Sequence, residues 1–232
     1  LASTYDQDMH ANPNNPKATN GTDQAWGGNR ARPDLVKKFF PTGNVPNLES
    51  YATAEAAGDD RALFCGVNRT LDNEDVSTFK SGFGVAKFTN FKTDGSAGHD
   101  ATFPDADFFL MRAAEAYLNF AEADARLHGD QTTEEGTAAI NAIRKRANAS
   151  TREDKGYTLS DICDEWSREF YFEGRRRMDL IRFNRYGGNV NYNWQWKGGT
   201  KEGRNFSKDL NIFAIPTNEL TSNKNLIQNP GY

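Results

Sequence analysis

Apolar residues recur at helical spacing in three stretches of the second half of the chain. Leu110, Ala114, Tyr117, Ala121 and Ala125 step by 4, 3, 4 and 4, which places them on one face of an α-helix. The pattern predicts a helix that starts after Pro104 and stops at Gly129. Its alanines would let a partner helix approach closely. A second helix is predicted with Thr132 or Thr133 as its cap and Glu134 and Glu135 in its first turn, burying Ala139, Ile140, Ile143 and Ala147. Two antiparallel helices with a short Gly-containing link form an αα-hairpin, the size of one tetratricopeptide-like unit of about 34 residues. One unit cannot bury both its faces, so neighbours are expected. A third helix starts near Ser160, with Asp161 beside the cap, and buries Ile162, Trp166 and Phe170 at i, i+4 and i+8. It is predicted to run to Gly174 and to resume through Asp179 to Phe183, ending at Gly187-Gly188.

Elsewhere the periodicity is short or missing. Residues 1–30 hold turn signals, such as Asn12-Pro13-Asn14-Asn15-Pro16, Asn20-Gly21 and Gly27-Gly28, without an apolar pattern. Residues 33–40 fit a short helix with Pro33 in its first turn. Residues 61–64 and 84–91 read as short strands, and 210–215 alternates like another. Residues 72–77 and 93–100 read as polar loop and turn, and a helical turn is predicted around Asn218 and Leu220 after Pro216. The expected fold is mainly α, with a tetratricopeptide-like αα-hairpin and a loop-rich portion with short β-strands. Three portions are expected: residues 1–104, loop-rich and contributing to a ligand site; 105–187, helical; and 188–232, a loop and tail packing on the helices.

Composition narrows the function. The 232 residues are 26% charged and 12% aromatic, with a net charge of -4 and mean hydropathy of -0.80. No run of about 18 apolar residues exists to span a membrane, and the acidic balance argues against a nucleic-acid partner. The aromatic content argues against wholesale disorder. The chain starts at Leu1, with no charged and apolar leader before it, so it is expected to begin inside a longer protein or after a processing cut. Cys65 and Cys163 lack metal-ligand spacing and read as small, partly buried side chains. His10, His99 and His128 are too few and too scattered for a metal site or a nucleophilic triad. No cofactor or metal is expected. Four Asn-x-Ser/Thr matches, at Asn20, Asn68, Asn148 and Asn205, are chance-level in an Asn-rich chain.

Two constellations could carry chemistry. Glu165, Glu169 and Glu173 fall at i, i+4 and i+8 on the third helix. They could supply paired carboxylates for glycosidic bond cleavage. The favoured reading is a ladder neutralised by Arg168, Arg175, Arg176, Arg177 and Arg182, since arginines outnumber the carboxylates locally, and the Arg175-Arg176-Arg177 run itself fits a salt-bridged helix end. The second set is aromatic: Trp26 near Asn29 and Arg30, and Tyr192, Trp194 and Trp196, all in Gly/Asn-rich loop. Indoles stack on the C–H face of a sugar ring while amides and guanidinium groups take its hydroxyls. The alternative is that these rings anchor their own loops.

Ordered along the chain are Phe108-Phe109-Leu110-Met111-Arg112-Ala113-Ala114-Glu115-Ala116-Tyr117-Leu118, then Glu165-Trp166-Ser167-Arg168-Glu169-Phe170-Tyr171-Phe172-Glu173-Gly174-Arg175-Arg176, then Asp179-Leu180-Ile181-Arg182. Ile215-Pro216-Thr217-Asn218-Glu219-Leu220 and Gln228-Asn229-Pro230-Gly231-Tyr232 follow, and Trp26-Gly27-Gly28, Asp60-Arg61 and Trp194-Gln195-Trp196-Lys197-Gly198-Gly199 add lesser matches. Together these resemble the C-terminal half of the SusD/RagB family of outer-membrane nutrient-binding lipoproteins. The resemblance implies a SusD-like helical fold and non-catalytic binding of glycans or other nutrients. It implies a surface location on the outer membrane through an N-terminal lipid, and delivery to a TonB-dependent transporter. The N-terminal half of the same protein would be a partner and would supply the hairpin's missing neighbours. It makes Arg112, Glu115, Glu165, Arg168, Glu169, Glu173, Arg176, Asp179 and Arg182 architectural, and tilts Trp194 and Trp196 toward structure, leaving Trp26, Asn29 and Arg30 as leading contacts. A glycoside hydrolase and a helical protein- or peptide-binding scaffold are the competing functions.

Overall fold

In a computed structural model, residues 21–22, 28–189 and 191–232 are described. They divide into two compact units, 1–174 and 175–232.

The first unit opens on a small antiparallel sheet. Strand β1 (Arg30–Ala31) pairs with β3 (Phe83–Val85), which also pairs with β2 (Phe64–Cys65), in the order β1-β3-β2. Between them lie helix α1 (Pro33–Val36), a 3₁₀ turn over Lys37–Phe39, and α2 (Ser50–Ala57). Pro33 at the start of α1 costs no hydrogen bond, because the first helical N–H has no partner anyway. Ala31, Val36, Phe39, Phe40, Ala62, Phe64, Phe83, Val85 and Tyr171 form the core of this part. Phe39 meets Phe64 edge-on at 5.5 Å, and Phe64 lies 5.2 Å from Tyr171. Gly66 is required there, since a Cβ would sit 2.6 Å from the Phe83 ring.

The strand expected over 84–91 ends at Val85. Lys87 leaves the sheet because its ammonium donates to the carbonyls of Glu169 (3.0 Å) and Tyr171 (2.9 Å). The strand expected over 61–64 is confined to Phe64–Cys65. Both cysteines are buried outright, Cys65 in β2 and Cys163 in the third long helix.

Helices α3 (Ala113–Leu127), α4 (Glu134–Arg146) and α5 (Leu159–Phe170) form the predicted hairpin and its neighbour, α3 packing on both others. The expected α3 face needs correction. Arg112 is extended (φ -150°, ψ 157°), so the helix begins after it and Leu110 lies outside, 87% exposed. Tyr117 is also exposed, and Leu118 joins Ala114, Ala121 and Ala125 as the buried stripe. On α4 the buried residues include Ala139, Ile140 and Ile143, as the spacing predicts. Thr133 occupies the cap position, but its hydroxyl donates to Asp124 of α3 instead of capping. A capping box between Thr158 and Asp161 starts α5, one residue or two earlier than expected.

Ile162, Trp166 and Phe170 are buried on α5, but the helix stops at Phe170, short of Gly174. Arg112 and Lys87 take the Glu169 carbonyl and Lys87 the Tyr171 carbonyl, so these oxygens need no further helix. Phe172 (φ 60°) and Gly174 (φ 78°) then turn the chain.

The second unit holds α6 (Arg176–Arg182), 3₁₀ turns over Lys197–Gly199 and Lys208–Asn211, and α7 (Thr217–Ser222). The strand expected over 210–215 does not form. Its polar backbone is met by side chains: Gln228 takes both the N–H of Ile215 (2.9 Å) and its carbonyl (3.0 Å), and the Asn229 amide donates to Phe213 (2.8 Å). One amide side chain thus replaces a strand neighbour. The fold is mainly helical, as the sequence indicated, and no described helix is long and apolar enough to cross a membrane.

Candidate functional site

Glu165 and Glu169 on α5, with Glu173 three residues past its end rather than on the helix as expected, sit in a nearly dry cation cage. Glu165 is 1% exposed and is contacted by Arg61 (2.8 Å), Arg144 (2.6 Å) and Arg168 (2.8 Å). Glu169 accepts from Arg61 (3.0 Å), Arg146 (2.6 Å) and Arg112. Glu173 accepts from Arg112 Nε (2.8 Å) and from Lys87. Arg61 is held in place by Asp59 (2.8 Å), and the Arg112 guanidinium lies 3.9 Å over the Phe170 ring. Burial alone would raise the pKa of Glu165, but Arg168, Arg61 and Arg144 outweigh it and hold the group at about 2. Glu169 is also raised by burial, and hydrogen bonds from Arg146 and Arg112 bring it to about 2. Glu173 is lowered too: hydrogen bonds from Arg112 and Lys87 overcome its burial.

Most of the partners are not the expected ones. Of the arginines near α5 in sequence, Arg168 joins the cage. Arg175 (3.5 Å) and Arg182 (2.9 Å) flank buried Asp179. Arg176 donates to the Tyr192 hydroxyl (2.7 Å), and Arg177 to the carbonyls of Leu210 (3.1 Å) and Asn211 (3.0 Å). Spacing could not reveal Arg61, Lys87 or Arg112, which lie 57 to 108 residues from the acids they hold. Glu115 sits in the first turn of α3, where the helix dipole favours an acid.

The loop aromatics fall in two places. Trp26 lies outside the described residues. Asn29 is exposed, and Arg30 directs its guanidinium to the carbonyls of Val76 (3.1 Å) and Thr78. In the second unit Tyr192, Trp194 and Trp196 are each half-buried, and they do not share a strand face, since Trp196 is left-handed (φ 68°). Trp194 stacks on Tyr186 (6.1 Å, 22°) and meets Tyr192 edge-on (6.3 Å). Lys197 is 1% exposed and threads beneath them, donating to the carbonyls of Asn189 (3.2 Å) and Tyr192 (2.5 Å), with its ammonium 4.8 Å from the Trp194 ring. Among the described residues no group of three or more His, Cys, Asp or Glu is placed to hold a metal ion.

The sequence profile of the SusD family matches residues 53–232. The starch-binding protein SusD of Bacteroides thetaiotaomicron is 38% identical over 243 aligned positions, covering 91% of this chain and 43% of SusD. A laminarin-binding SusD-like protein superposes with a TM-score of 0.55 at 23% identity, over 91% of this chain and 40% of its own. A SusD-like protein from Bacteroides fragilis does so with a TM-score of 0.55 at 21% identity, over 90% of this chain and 48% of its own. The chain therefore spans less than half the length of each of these relatives, and it belongs to the SusD family.

Proposed function

We propose that this protein captures an extracellular glycan at the outer-membrane surface and passes it, without cleaving it, to a TonB-dependent transporter. The supporting observation is family membership over 53–232 together with 38% identity to a starch-binding protein. In this reading residues 1–104 contribute to the ligand site, the helices of 105–187 form a passive platform, and residues 188–232 pack on them. Trp26, Asn29, Arg30, Tyr192, Trp194 and Trp196 are the proposed contacts. A lipid on the protein's N-terminal half anchors it, and that half covers the outer face of α3, where Tyr117 and Phe120 are exposed.

The hydrolase alternative fares worse on physical grounds. A general acid must hold its proton near neutral pH, through a raised pKa. Glu165 and Glu169 are driven the other way, to about 2. Both are buried among arginines, where no sugar could reach them.

Calorimetric titration of the full-length protein against amylopectin, laminarin and other polysaccharides tests the reading. Binding with no release of reducing sugar is expected. Failure to bind any glycan, or cleavage abolished by Glu165→Gln, would overturn it.

A further inference from the structure

The formal charge is divided unevenly along the chain. Residues 175–232 carry ten Lys or Arg and four Asp or Glu, a formal +6, leaving residues 1–174 at -10 within a whole chain of -4. The basic unit contains a cleft of about 580 Å³ lined by Tyr186, Gly198, Arg204, Asn205, Phe206 and Leu210. That volume falls in the range of small-molecule sites.

The lining is arranged for a ligand with both an apolar face and polar groups. Tyr186 and Phe206 meet edge-on at 5.0 Å, and Trp194 backs Tyr186 from within the same unit. Arg204 uses its Nε on the Gly198 carbonyl (3.0 Å), which fixes the plane of the guanidinium. Among the described residues its two terminal nitrogens have no partner, and neither do the Tyr186 hydroxyl and the Asn205 amide. Two further cations stand close. The Arg177 guanidinium is 5.1 Å from the Tyr186 ring, and the Lys197 ammonium is 5.6 Å from the Phe206 ring. Their hydrogen bonds go to neutral carbonyls, so their charge is not cancelled. Asp209, next to the lining residue Leu210, accepts from the neutral Ser207 hydroxyl (2.8 Å) and keeps its charge; set against Arg204, Arg177 and Lys197 it leaves the cations in excess.

We propose that this cleft binds a sugar bearing a carboxylate, with Arg204 forking onto the carboxylate, Asn205 and Tyr186 taking hydroxyls, and the aromatic rings taking the C–H face. A planar fork with two free N–H groups matches a carboxylate in a bidentate pair. An anion without a C–H face, such as free phosphate, would leave the two rings unused. The inference rests on the glycan-capture reading and adds an acidic-sugar site to it.

The test uses the full-length protein and calorimetric titration with tetragalacturonate, its fully methyl-esterified form, an oligoguluronate and a chondroitin sulfate hexasaccharide. At least one acidic oligosaccharide should bind. Arg204→Ala should weaken it tenfold or more and Arg204→Lys a few-fold, with unchanged melting, because Arg204 is exposed. Asn205→Ala, also exposed, gives an independent variant of the cleft. Raising salt to 0.5 M should weaken binding as well. Equal affinity for tetragalacturonate and its ester, binding indifferent to Arg204→Ala and Asn205→Ala, or no binding of any acidic probe would each overturn the inference. Neutral-glucan binding that persists in those cases leaves the capture reading standing; loss of all glycan binding removes both.

Discussion

At the scale of single residues, the cage around α5 makes specific demands. Glu165 is neutralised by three arginines that came out of water together with it. Breaking a buried ion pair from one side leaves an uncompensated charge, at a cost of about 3–5 kcal/mol. Glu165→Gln should therefore lower the unfolding free energy by about that amount in urea titration. A loss under about 1 kcal/mol would mean the cage contributes little. The pH dependence has a definite sign. Folding depresses the pKa of Glu165 and Glu169 from 4.5 to about 2. The stability they supply is complete above their unfolded pKa and is lost as pH falls from about 5 toward 2. Melting temperature should drop through that window, and Glu165→Gln should flatten the drop. The acids themselves were legible from their i, i+4, i+8 spacing. Their partners were not: a salt bridge between residues 61 and 165 leaves no local trace in sequence.

At the scale of elements, periodicity located all three long helices, and it failed where side chains overrule the backbone pattern. Leu110 fitted the helical stripe, but Arg112, committed to Glu169 and Glu173, holds the chain extended at the entry to α3. Residues 210–215 alternated like a strand, but Gln228 supplies the hydrogen bonds a neighbouring strand would give. The aromatic loop fared similarly. Residues 192, 194 and 196 were legible as a cluster, while Tyr186, Arg204, Asn205 and Phe206 had no shared spacing to announce the cleft they line. Packing also reverses an intrinsic preference on α4. Replacing a helical Gly with Ala ordinarily stabilises a helix, by up to about 1 kcal/mol in its interior. At Gly136 the new Cβ would lie 2.1 Å from Asp124 Oδ2, and that carboxylate is pinned by the Thr133 N–H (2.7 Å) and hydroxyl (3.0 Å). Gly136→Ala should destabilise by about 1–2 kcal/mol through the lost hydrogen bonds. A higher melting temperature in the variant would contradict this packing.

At the scale of the whole molecule, the outer side of α3 and the segment before it present Phe108, Phe109, Leu110, Met111 and Phe120, each at least half exposed. So many large apolar side chains exposed on one helix and the segment leading into it normally meet a partner. The proposed occupant is the N-terminal half of the same protein, and a pair of measurements separates that cover from an idle surface. If Phe120 is buried in the intact protein, Phe120→Ala should cost about 3–5 kcal/mol there, as for any large core side chain. In residues 1–232 alone the ring is 52% exposed, and the same change should fall within about 0.5 kcal/mol. Residues 1–232 should also melt below the intact chain and bind a hydrophobic dye that the intact chain does not. Equal, small effects of Phe120→Ala in both proteins would show that the N-terminal half packs elsewhere, and that the hairpin keeps this face open.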